Sequence, residues 1–346
     1  MSTFKLHDKT FSHDELLTFC RSRIDVAPAW EVEHFAFILN WLDANDKIEI
    51  STSGSTGAPK KIMMSKHLMA QSSRMTATYF DLTASTKVLL CLPSAYIAGK
   101  MVIVRALTNG WNLHWVEPSS NPLKAIEQRF DFTSFTPMQV NGVLNESPEK
   151  FNLIKKVLIG GAAISAELEQ QLRDFACECY ETYGMTETVS HVAVRQLNTG
   201  TSNFNALPGV HFTKDNDDCL VIHAAHLDNL ELRTNDVVDL QSPQRFRFLG
   251  RKDNVINSGG IKIFPELVEE KIKHLFKTEY YISAIKDNVL GQRVVLFIEG
   301  ETLEEKEIVS LKDSIKDVLK GAEMPKELIW QAQFERTISG KIKRQR

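Results

Sequence analysis

The residues best suited to chemistry lie in one polar stretch. Residues 51–60 read STSGSTGAPK and combine hydroxyl side chains, two glycines and a lysine. Glycines let backbone N–H groups turn toward a ligand, and the hydroxyls and Lys60 add hydrogen-bond donors. Such a set of donors suits a polyphosphate. A flexible Ser/Gly-rich linker has the same composition, so this stretch alone leaves both interpretations open.

The spacing within this stretch differs from that of a P-loop, G-x-x-x-x-G-K-[ST]. Gly54 and Gly57 are three residues apart, Lys60 follows Pro59, and no serine or threonine follows the lysine. A P-loop kinase or NTPase would need that hydroxyl to hold Mg²⁺. The spacing therefore argues against those enzymes.

Composition restricts the class of protein. The chain has 346 residues, of which 43% are hydrophobic and 25% charged, which is ordinary for a globular protein and long enough to predict two domains. The net charge of −3 argues against a nucleic-acid binder. Five irregularly spaced cysteines favour a reducing cytoplasm over a disulfide framework. Residues 1–8 lack the apolar core of a signal peptide, and no membrane span is expected.

Short apolar runs that alternate with amphipathic segments predict the elements of the larger part. Lys87–Leu92 and Lys156–Ile159 are predicted to be buried strands that end in loops. The predicted helices are residues 1–46, 100–109, 121–129 and a helix from Ser165. This alternation predicts α/β layers, in which ligands collect beyond the carboxyl ends of the strands.

The remaining chain has a different pattern. Residues 204–250 contain short alternating runs, which predict antiparallel strands. Beyond Asp253 the spacing predicts a small α+β module with helices near 264–276 and 311–319 and two strands between them. The expected fold class is therefore α/β. It has a large multi-layer N-terminal domain, 1–252, with mixed sheets and a small β subdomain, followed by a small α+β C-terminal domain, 253–346.

Four further segments concentrate polar groups and glycines. They are YGMTET at 183–188, RTND at 233–236, GRKDNVINSGGIK at 250–262 and TISGK at 337–341. Each alone is compatible with an ordinary turn, strand end, linker or terminus. Together with residues 51–60, and in this order, they resemble the adenylate-forming superfamily of acyl-CoA synthetases, luciferases and peptide-synthetase adenylation domains.

This resemblance implies a reaction and its cofactors. Members of the superfamily join a carboxylate to ATP, release pyrophosphate and pass the acyl group to an acceptor, so ATP, Mg²⁺ and coenzyme A are expected here. The resemblance places the β- and γ-phosphates against Thr52, Ser53, Gly54, Ser55, Thr56, Gly57 and Lys60. It places the nucleotide against Gly161, Ala162, Tyr183, Gly184, Met185, Thr186, Asp236 and Arg251.

The catalytic groups follow from the same resemblance. Glu187 is expected to hold Mg²⁺, which prefers oxygen ligands. Lys341 is expected to bridge the substrate carboxylate and the α-phosphate, a role that suits a compact charge on a flexible stem. Asp253 matches the hinge about which a mobile C-terminal domain rotates. That rotation would then present Ser258, Gly259 and Gly260 to coenzyme A.

A further set of residues bears on the acid. Lys100 and Arg105 would make the acyl pocket more positively charged than a site for fatty acids needs. The alternative is that both lie on a solvated helix face. A guanidinium can pair a second carboxylate bidentately. Within the superfamily the chain is similar to the o-succinylbenzoate–CoA ligases of menaquinone biosynthesis, whose substrate has two carboxylates. The residues expected to contact the acid are Tyr96, Lys100, Arg105, Gly160, His191 and Arg195.

Other possibilities stay open at this point. An aryl- or short-chain acyl-CoA synthetase would carry the same motifs, and a non-catalytic nucleotide-binding module would carry some of them. The expected partner is a small carboxylic acid, with a homodimer possible. Two departures from relatives stand out. The phosphate stretch begins unusually near the N-terminus, and Thr234-Asn235-Asp236 replaces the usual T-G-D.

Overall fold

One 13-stranded sheet organises the larger part of the chain. The computed structural model describes residues 3–51, 61–162, 164–336 and 342–345. The predicted phosphate contacts Thr52–Lys60 and the predicted catalytic Lys341 lie outside these residues. In chain order the strands of the sheet are β1 (Phe4–Leu6), β2 (Lys9–Phe11), β5 (Lys87–Leu90), β6 (Asn112–Trp115), β7 (Phe130–Phe135), β8 (Ile154–Ile159), β9 (Glu178–Gly184), β10 (His191–Gln196), β11 (Asn203–Ala206), β12 (Val210–Lys214), β13 (Cys219–Ala224), β14 (Leu230–Ser242) and β15 (Arg245–Arg251). A separate hairpin consists of β3 (Lys47–Ser51) and β4 (Lys61–Ser65).

The sheet changes character along its width. Its order is β12-β13-β14-β15-β11-β10-β9-β8-β7-β5-β6-β1-β2. Strands β6, β5, β7, β8 and β9 are parallel neighbours, whereas the pairs from β9–β10 outward to β12 are antiparallel. The loops that follow β5, β7, β8 and β9 therefore open at one edge, where ligands of α/β folds bind.

Helices cover both faces of the parallel half. They are α1 (His13–Ile24), α2 (Ala29–Leu42), α3 (Lys66–Tyr79), α4 (Ile97–Asn109), α5 (Pro137–Glu146) and α6 (Ala166–Leu172). In β5, Val88 and Leu90 join the apolar cluster under α1 to α4, whereas Leu89, and Cys91 just beyond the strand, join the cluster under α5 and α6. Alternate side chains of a strand point to opposite faces, so β5 is buried on both.

Local sequence explains where these helices begin and end. The Thr136 hydroxyl accepts from the Gln139 N–H at 3.2 Å and the Gln139 amide oxygen accepts from the Thr136 N–H at 3.1 Å, a capping box that starts α5 with Pro137 in its first turn. Gly110 ends α4 with φ +69°, which favours glycine. The start of α5 and the end of α4 are thereby set by the local sequence.

One predicted helix is wrong, and another is right only in part. Within 1–46 the structure has a β-hairpin, β1–β2, before the two helices, because His7 and Asp8 adopt positive φ and reverse the chain. Residues 121–129 form a turn, not a helix. Leu123 and Ile126 are buried at a spacing that imitates a helix, but they belong to a single turn whose Ile126 N–H bonds to the Leu123 carbonyl.

The C-terminal part has the two predicted helices and a separate small sheet, which has five strands where the sequence predicts two. Its strands are β16 (Ile256–Ser258), β17 (Ile261–Ile263), β18 (Tyr280–Asp287), β19 (Gly291–Glu299) and β20 (Glu327–Gln331), and its helices are α7 (Pro265–Ile272) and α8 (Glu305–Val318). A 3₁₀ turn, Lys252–Asn254, joins β15 to β16, and the domain boundary between residues 252 and 253 stays a prediction. The α/β fold class is confirmed, whereas rotation about Asp253 stays a prediction.

The last described residues are tied into this small sheet. The Arg344 guanidinium donates to both carboxylate oxygens of Glu269 at 2.5 and 2.8 Å, and also to the Ile282 carbonyl. Ile342 packs on an apolar cluster formed by Tyr281, Val295, Phe297 and Phe334. The chain on the C-terminal side of Lys341 is therefore anchored by a half-buried ion pair.

Two further observations concern the whole described chain. The five cysteines are buried free thiols, with 3.5 Å between the sulfur atoms of Cys177 and Cys179. No helix among the described residues combines the length and the apolar character needed to cross a bilayer.

Candidate active site

The predicted site residues converge on the carboxyl edge of the parallel strands. Tyr96 lies in the loop after β5, Gly160 and Gly161 follow β8, and Glu187 follows β9. Tyr96, Gly161 and Glu187 are exposed, so this edge is open to solvent. The topology thus brings together residues that are far apart in the sequence.

Arg105 is the most unusual residue near this edge. It projects from α4 and is only 3% exposed, so the predicted alternative of a solvated helix face is wrong for Arg105. Its guanidinium donates to the Thr76 hydroxyl at 3.3 Å, to the Ser190 hydroxyl at 2.7 Å and to His191 Nδ1 at 3.3 Å. All three acceptors are neutral. No carboxylate among the described residues pairs with it.

Burial makes this charge costly. It lowers the pKa of Arg105 to about 10, so the guanidinium is still protonated at neutral pH. A buried cation without an anionic partner is unfavourable in the isolated protein. An incoming carboxylate would supply the missing charge, and the half-buried Ser190 marks the side from which it can approach.

His191 serves Arg105 as a neutral acceptor. Burial, together with the charge of Arg105, lowers the pKa of His191 well below its usual value. Because Arg105 donates to Nδ1, the proton lies on Nε2, which contacts the Thr76 hydroxyl at 3.4 Å. His191 therefore adds no positive charge to the site, and its predicted contact with the acid would be that of a neutral imidazole.

A strained turn directs Ser190 and His191 toward Arg105. Val189 has φ +67° and ψ −50°, and the Ser190 N–H bonds to the Thr188 carbonyl at 2.7 Å, which makes Val189 the centre of a γ-turn. This conformation is rare for a β-branched residue and costs about 1–3 kcal/mol. Such strain is typical of functional sites, where surrounding structure enforces it.

Three of the predicted nucleotide-binding residues form a second cluster. Asp236 is 6% exposed, and its two carboxylate oxygens accept from the Tyr183 hydroxyl at 2.5 Å and from the Arg251 guanidinium at 3.1 Å. Burial and the charge of Asp236 raise the pKa of Tyr183. The three residues come from β9, β14 and β15. The Tyr183 ring also packs against Phe204 and Phe246, which fixes its plane.

Three glycines have steric reasons to be glycine. A Cβ on Gly184 would lie 2.4 Å from the Ser190 carbonyl oxygen, so the turn between β9 and β10 requires glycine there. A Cβ on Gly160 would lie 2.4 Å from the Thr182 hydroxyl. Gly161 has φ +92° and open space around it, and Ala162 beside it is exposed. Gly160 to Ala162 can thus approach a ligand closely.

The YGMTET segment forms the turn that follows β9. The Thr188 hydroxyl accepts from the Met185 N–H at 2.9 Å and closes a 3₁₀ turn over Thr186–Thr188. Met185 and Thr186 are half-buried, while Glu187 is exposed. Among the described residues, no cluster of three or more His, Cys, Asp or Glu side chains could hold a metal ion. A single carboxylate is nevertheless compatible with Mg²⁺ that is held chiefly by phosphates.

Two predicted substrate contacts are already engaged elsewhere. Arg195 pairs with Glu181 and Glu169, both at 2.8 Å, so two carboxylates already hold its guanidinium, and its contact with the acid stays a prediction. The Lys100 ammonium donates to the carbonyls of Ser94 and Ala95 at 2.7 and 2.9 Å. Tyr96, in contrast, is 59% exposed at the start of α4.

The predicted hinge and coenzyme A residues lie at the start of the small domain. Asp253 is exposed, 3.9 Å from the Arg251 guanidinium. Gly259 and Gly260 are exposed and turn the chain with φ +59° and +82°. Ser258 is 6% exposed. A ligand at this turn would therefore meet the two glycines and their backbone rather than the serine side chain.

Sequence reasoning missed two residues of the Arg105 cluster. Ser190 is separated from Arg105 by 85 residues and Thr76 by 29, so neither contact is visible in the sequence. A signal for Thr76 did exist. Ser72, Ser73 and Thr76 are fully buried hydroxyl residues at helical spacing within α3. A hydroxyl stripe on a buried helix face indicates a polar partner on the facing element.

Comparison with known proteins supports the superfamily resemblance. The sequence model of the AMP-binding enzyme family matches residues 44–213. The chain is 26% identical to the 2-succinylbenzoate–CoA ligase of Haemophilus influenzae over 79% of this chain and 64% of that protein. It is 28% identical to the Escherichia coli ligase of the same name over 62% of that protein. The chain thus spans less than two thirds of the length of these relatives.

Solved structures agree with this result. An acyl-CoA synthetase (AMP-forming)/AMP-acid ligase II-like protein from Dyadobacter fermentans is 34% identical, with a TM-score of 0.65 over 94% of this chain and 95% of that protein. The o-succinylbenzoate CoA synthetase of Bacillus subtilis, solved with its acyl-adenylate intermediate, has a TM-score of 0.77 over 99% of this chain and 94% of that chain at 16% identity, which shows the shared fold. The chain therefore belongs to the AMP-binding, adenylate-forming enzyme family.

Proposed function

We propose that the protein is an ATP-dependent acid–CoA ligase that acts through an acyl-adenylate, with o-succinylbenzoate as its acid. In the first step a carboxylate oxygen of the acid bonds to the α-phosphorus of ATP, and the bond from that phosphorus to the oxygen bridging to the β-phosphate breaks to release pyrophosphate. In the second step the thiolate of coenzyme A bonds to the acyl carbon and AMP leaves. The reactions balance without any further co-reactant.

The environment of Arg105 is the main support for o-succinylbenzoate as the acid. A buried guanidinium whose described partners are all neutral favours a ligand with an anionic group besides the one that reacts. o-Succinylbenzoate has two carboxylates, so one can pair with Arg105 while the other reaches the α-phosphate. The relatives named 2-succinylbenzoate–CoA ligase support the same assignment.

The nucleotide has a complementary set of residues. Asp236 can accept from ribose hydroxyls and Arg251 can donate to them, since both already meet at one point. Glu187 would hold Mg²⁺ together with the phosphates, and Thr52–Lys60 would contact the pyrophosphate that leaves. The Bacillus subtilis relative solved with ATP and magnesium, at 20% identity, has the same fold.

The experiment that tests the proposal measures the two half-reactions separately. We expect o-succinylbenzoate to support exchange of pyrophosphate into ATP and, with coenzyme A present, to give a thioester. Lys341→Ala should abolish exchange while ATP still binds, because the lysine is proposed to act on the reacting groups and not in nucleotide affinity. Lys343→Ala removes a second lysine two residues away in the sequence. It is the matched control and should leave exchange intact.

The outcomes discriminate between the possible functions. Preferred turnover of a fatty acid, or of a monocarboxylic aryl acid, would refute the choice of o-succinylbenzoate but keep the ligase. ATP binding without exchange for any acid in a panel would indicate the non-catalytic nucleotide-binding module. Exchange that survives in Lys341→Ala would refute the role of Lys341.

A further inference from the structure

A buried histidine outside the predicted site contacts the loop that follows β5. His34 lies on α2 with no solvent exposure, and its Nδ1 is 2.7 Å from the hydroxyl of Ser94. Ser94 is itself 2% exposed. Trp30 and Trp115 pack edge-on against the imidazole at 5.7 and 5.4 Å. The histidine is thus held in one orientation, with its ring directed at the loop.

The same loop is held from α4. The Lys100 ammonium donates to the carbonyls of Ser94 and Ala95, and it lies 5.6 Å from the centre of the Phe37 ring on α2. Gly99 packs so closely on the loop that a Cβ would lie 2.3 Å from the Pro93 carbonyl oxygen. Side chain and backbone of residues 93–95 are therefore fixed from two helices at once.

These polar contacts are a poor means of stabilising a core. His34 Nε2 is buried and has no hydrogen-bond partner among the described residues, which is unfavourable. Apolar side chains of similar shape at both positions would avoid that cost. A buried hydrogen bond does, however, specify one geometry where apolar contacts would allow several. The geometry fixed here is that of the loop leading to Tyr96 and to the helix that carries Arg105.

We propose that His34 and Lys100 are positioning residues that fix the loop Pro93–Tyr96 and thereby set the affinity for the acid. Helix α2 lies outside residues 44–213, which match the family, so a segment beyond the matched region shapes the acid pocket. The inference rests on the proposed function only in assigning Tyr96 and Arg105 to the acid side of the site. It assigns His34, and Lys100 in place of its predicted contact with the acid, to holding the loop.

Kinetics of three variants test the proposal. Ser94→Ala and His34→Leu each remove one partner of the hydrogen bond, and Lys100→Met keeps the stem on Phe37 while removing the two bonds to carbonyls. Each should raise KM for o-succinylbenzoate about three- to tenfold, the loss expected for one or two neutral or charge-assisted hydrogen bonds, while KM for ATP stays unchanged. The double variant His34→Leu/Ser94→Ala should match the larger single effect, since both remove the same bond.

The matched control is Ile38→Val. Ile38 is fully buried on the same helix one turn beyond His34, so the variant loses core packing without touching the loop. It should lower thermal stability and leave both KM values unchanged. If Ile38→Val raises KM for the acid as much as His34→Leu does, α2 acts only through general stability and the positioning role is refuted. Additive effects in the double variant would also refute it.

A second measurement does not depend on activity. Amide hydrogen exchange of a peptide spanning residues 93–101 should accelerate at least threefold in Ser94→Ala and His34→Leu but not in Ile38→Val, because only the first two release the loop. Unchanged exchange in all three variants would overturn the inference. A wild-type protein that turns over no acid, yet shows this exchange pattern, would refute the proposed function and leave the positioning of the loop standing.

Discussion

Replacing Arg105 with methionine should separate stability from recognition of the acid. Methionine keeps much of the side-chain volume within the packed space between α3 and α4 but removes the charge. Burial lowers the pKa of Arg105 from 12.5 to about 10. At about 1.4 kcal/mol per pKa unit, the charged form loses about 3 kcal/mol by being buried, and the variant regains that energy.

The lost hydrogen bonds offset this gain. Arg105 donates to Thr76, Ser190 and His191, and each such bond contributes about 1 kcal/mol. The acceptors are not left without partners, since the Thr76 hydroxyl also donates to the Ser72 carbonyl and contacts His191 Nε2. The two effects nearly cancel. We therefore expect the free energy of unfolding of Arg105→Met to lie within about 1 kcal/mol of the wild type.

Recognition of the acid should respond quite differently. A carboxylate paired with a buried guanidinium gains about 1.5–3 kcal/mol from charge-assisted hydrogen bonds, which is about 10- to 100-fold in affinity. Arg105→Met should lose that factor in kcat/KM for o-succinylbenzoate. For benzoate, which has no second carboxylate, kcat/KM should change little. Urea unfolding and the thioester assay measure the two quantities on the same preparations.

Arg195→Met is the matched control because it is the same substitution at a paired arginine. It removes the cation of the mostly buried Glu181 carboxylate and the nearer of the two cations of Glu169, whose other partner is Arg173 at 3.6 Å, which should cost about 3 kcal/mol of stability. The ratio of kcat/KM for the two acids should not change. A loss of more than about 3 kcal/mol in Arg105→Met, with an unchanged ratio, would show that Arg105 is structural and refute the reasoning.

Two further predictions concern stability. Burial lowers the pKa of His34 and of His114 to about 4, and burial with the charge of Arg105 lowers that of His191 still more clearly. In the unfolded chain these histidines bind protons near pH 6.5. The free energy of unfolding should therefore keep its highest value above pH 7. It should fall between pH 6.5 and 5 by about 1.4 kcal/mol per pH unit for each histidine. Urea unfolding at several pH values gives the slope of the free energy of unfolding against pH. In His34→Leu this slope should correspond to one proton fewer, and an unchanged slope would contradict this account. Glu269→Gln should destabilise the small domain by about 2 kcal/mol, discounted for partial exposure, because it leaves Arg344 unpaired. Lys316→Ala, at an exposed pair, should cost less than about 0.5 kcal/mol. Calorimetric unfolding of both variants measures the two losses, and equal losses would refute the distinction.

Most of the fold was predictable because its signals are local. Buried strands such as β5 and β8 are short apolar runs that end near proline or glycine, and α6 begins at the capping residue Ser165. The errors arose where a short pattern has two meanings. Two buried residues three apart, Leu123 and Ile126, fit either a helix or a single turn, and only the surrounding chain decides.

The site was predictable only as a set of residue types. The sequence singles out Arg105, His191 and Arg195 as candidates of equal rank. Their environments differ because of distant residues, since Glu169 and Glu181 neutralise Arg195 while Arg105 meets only neutral groups. Such differences depend on which side chains face one another across elements, and local periodicity carries no information about that.

Two costs converge on the same few residues, and together they explain how the site is organised. The isolated protein bears the buried charge of Arg105 and the positive φ of Val189, both of which are unfavourable. Val189 turns Ser190 and His191 back so that they can accept from the guanidinium, so the strain holds the cation in place. If those acceptors were carboxylates, the charge would be satisfied and an acid would gain nothing by entering. Neutral acceptors orient Arg105 without neutralising it, and that combination leaves the charge for a ligand to pair.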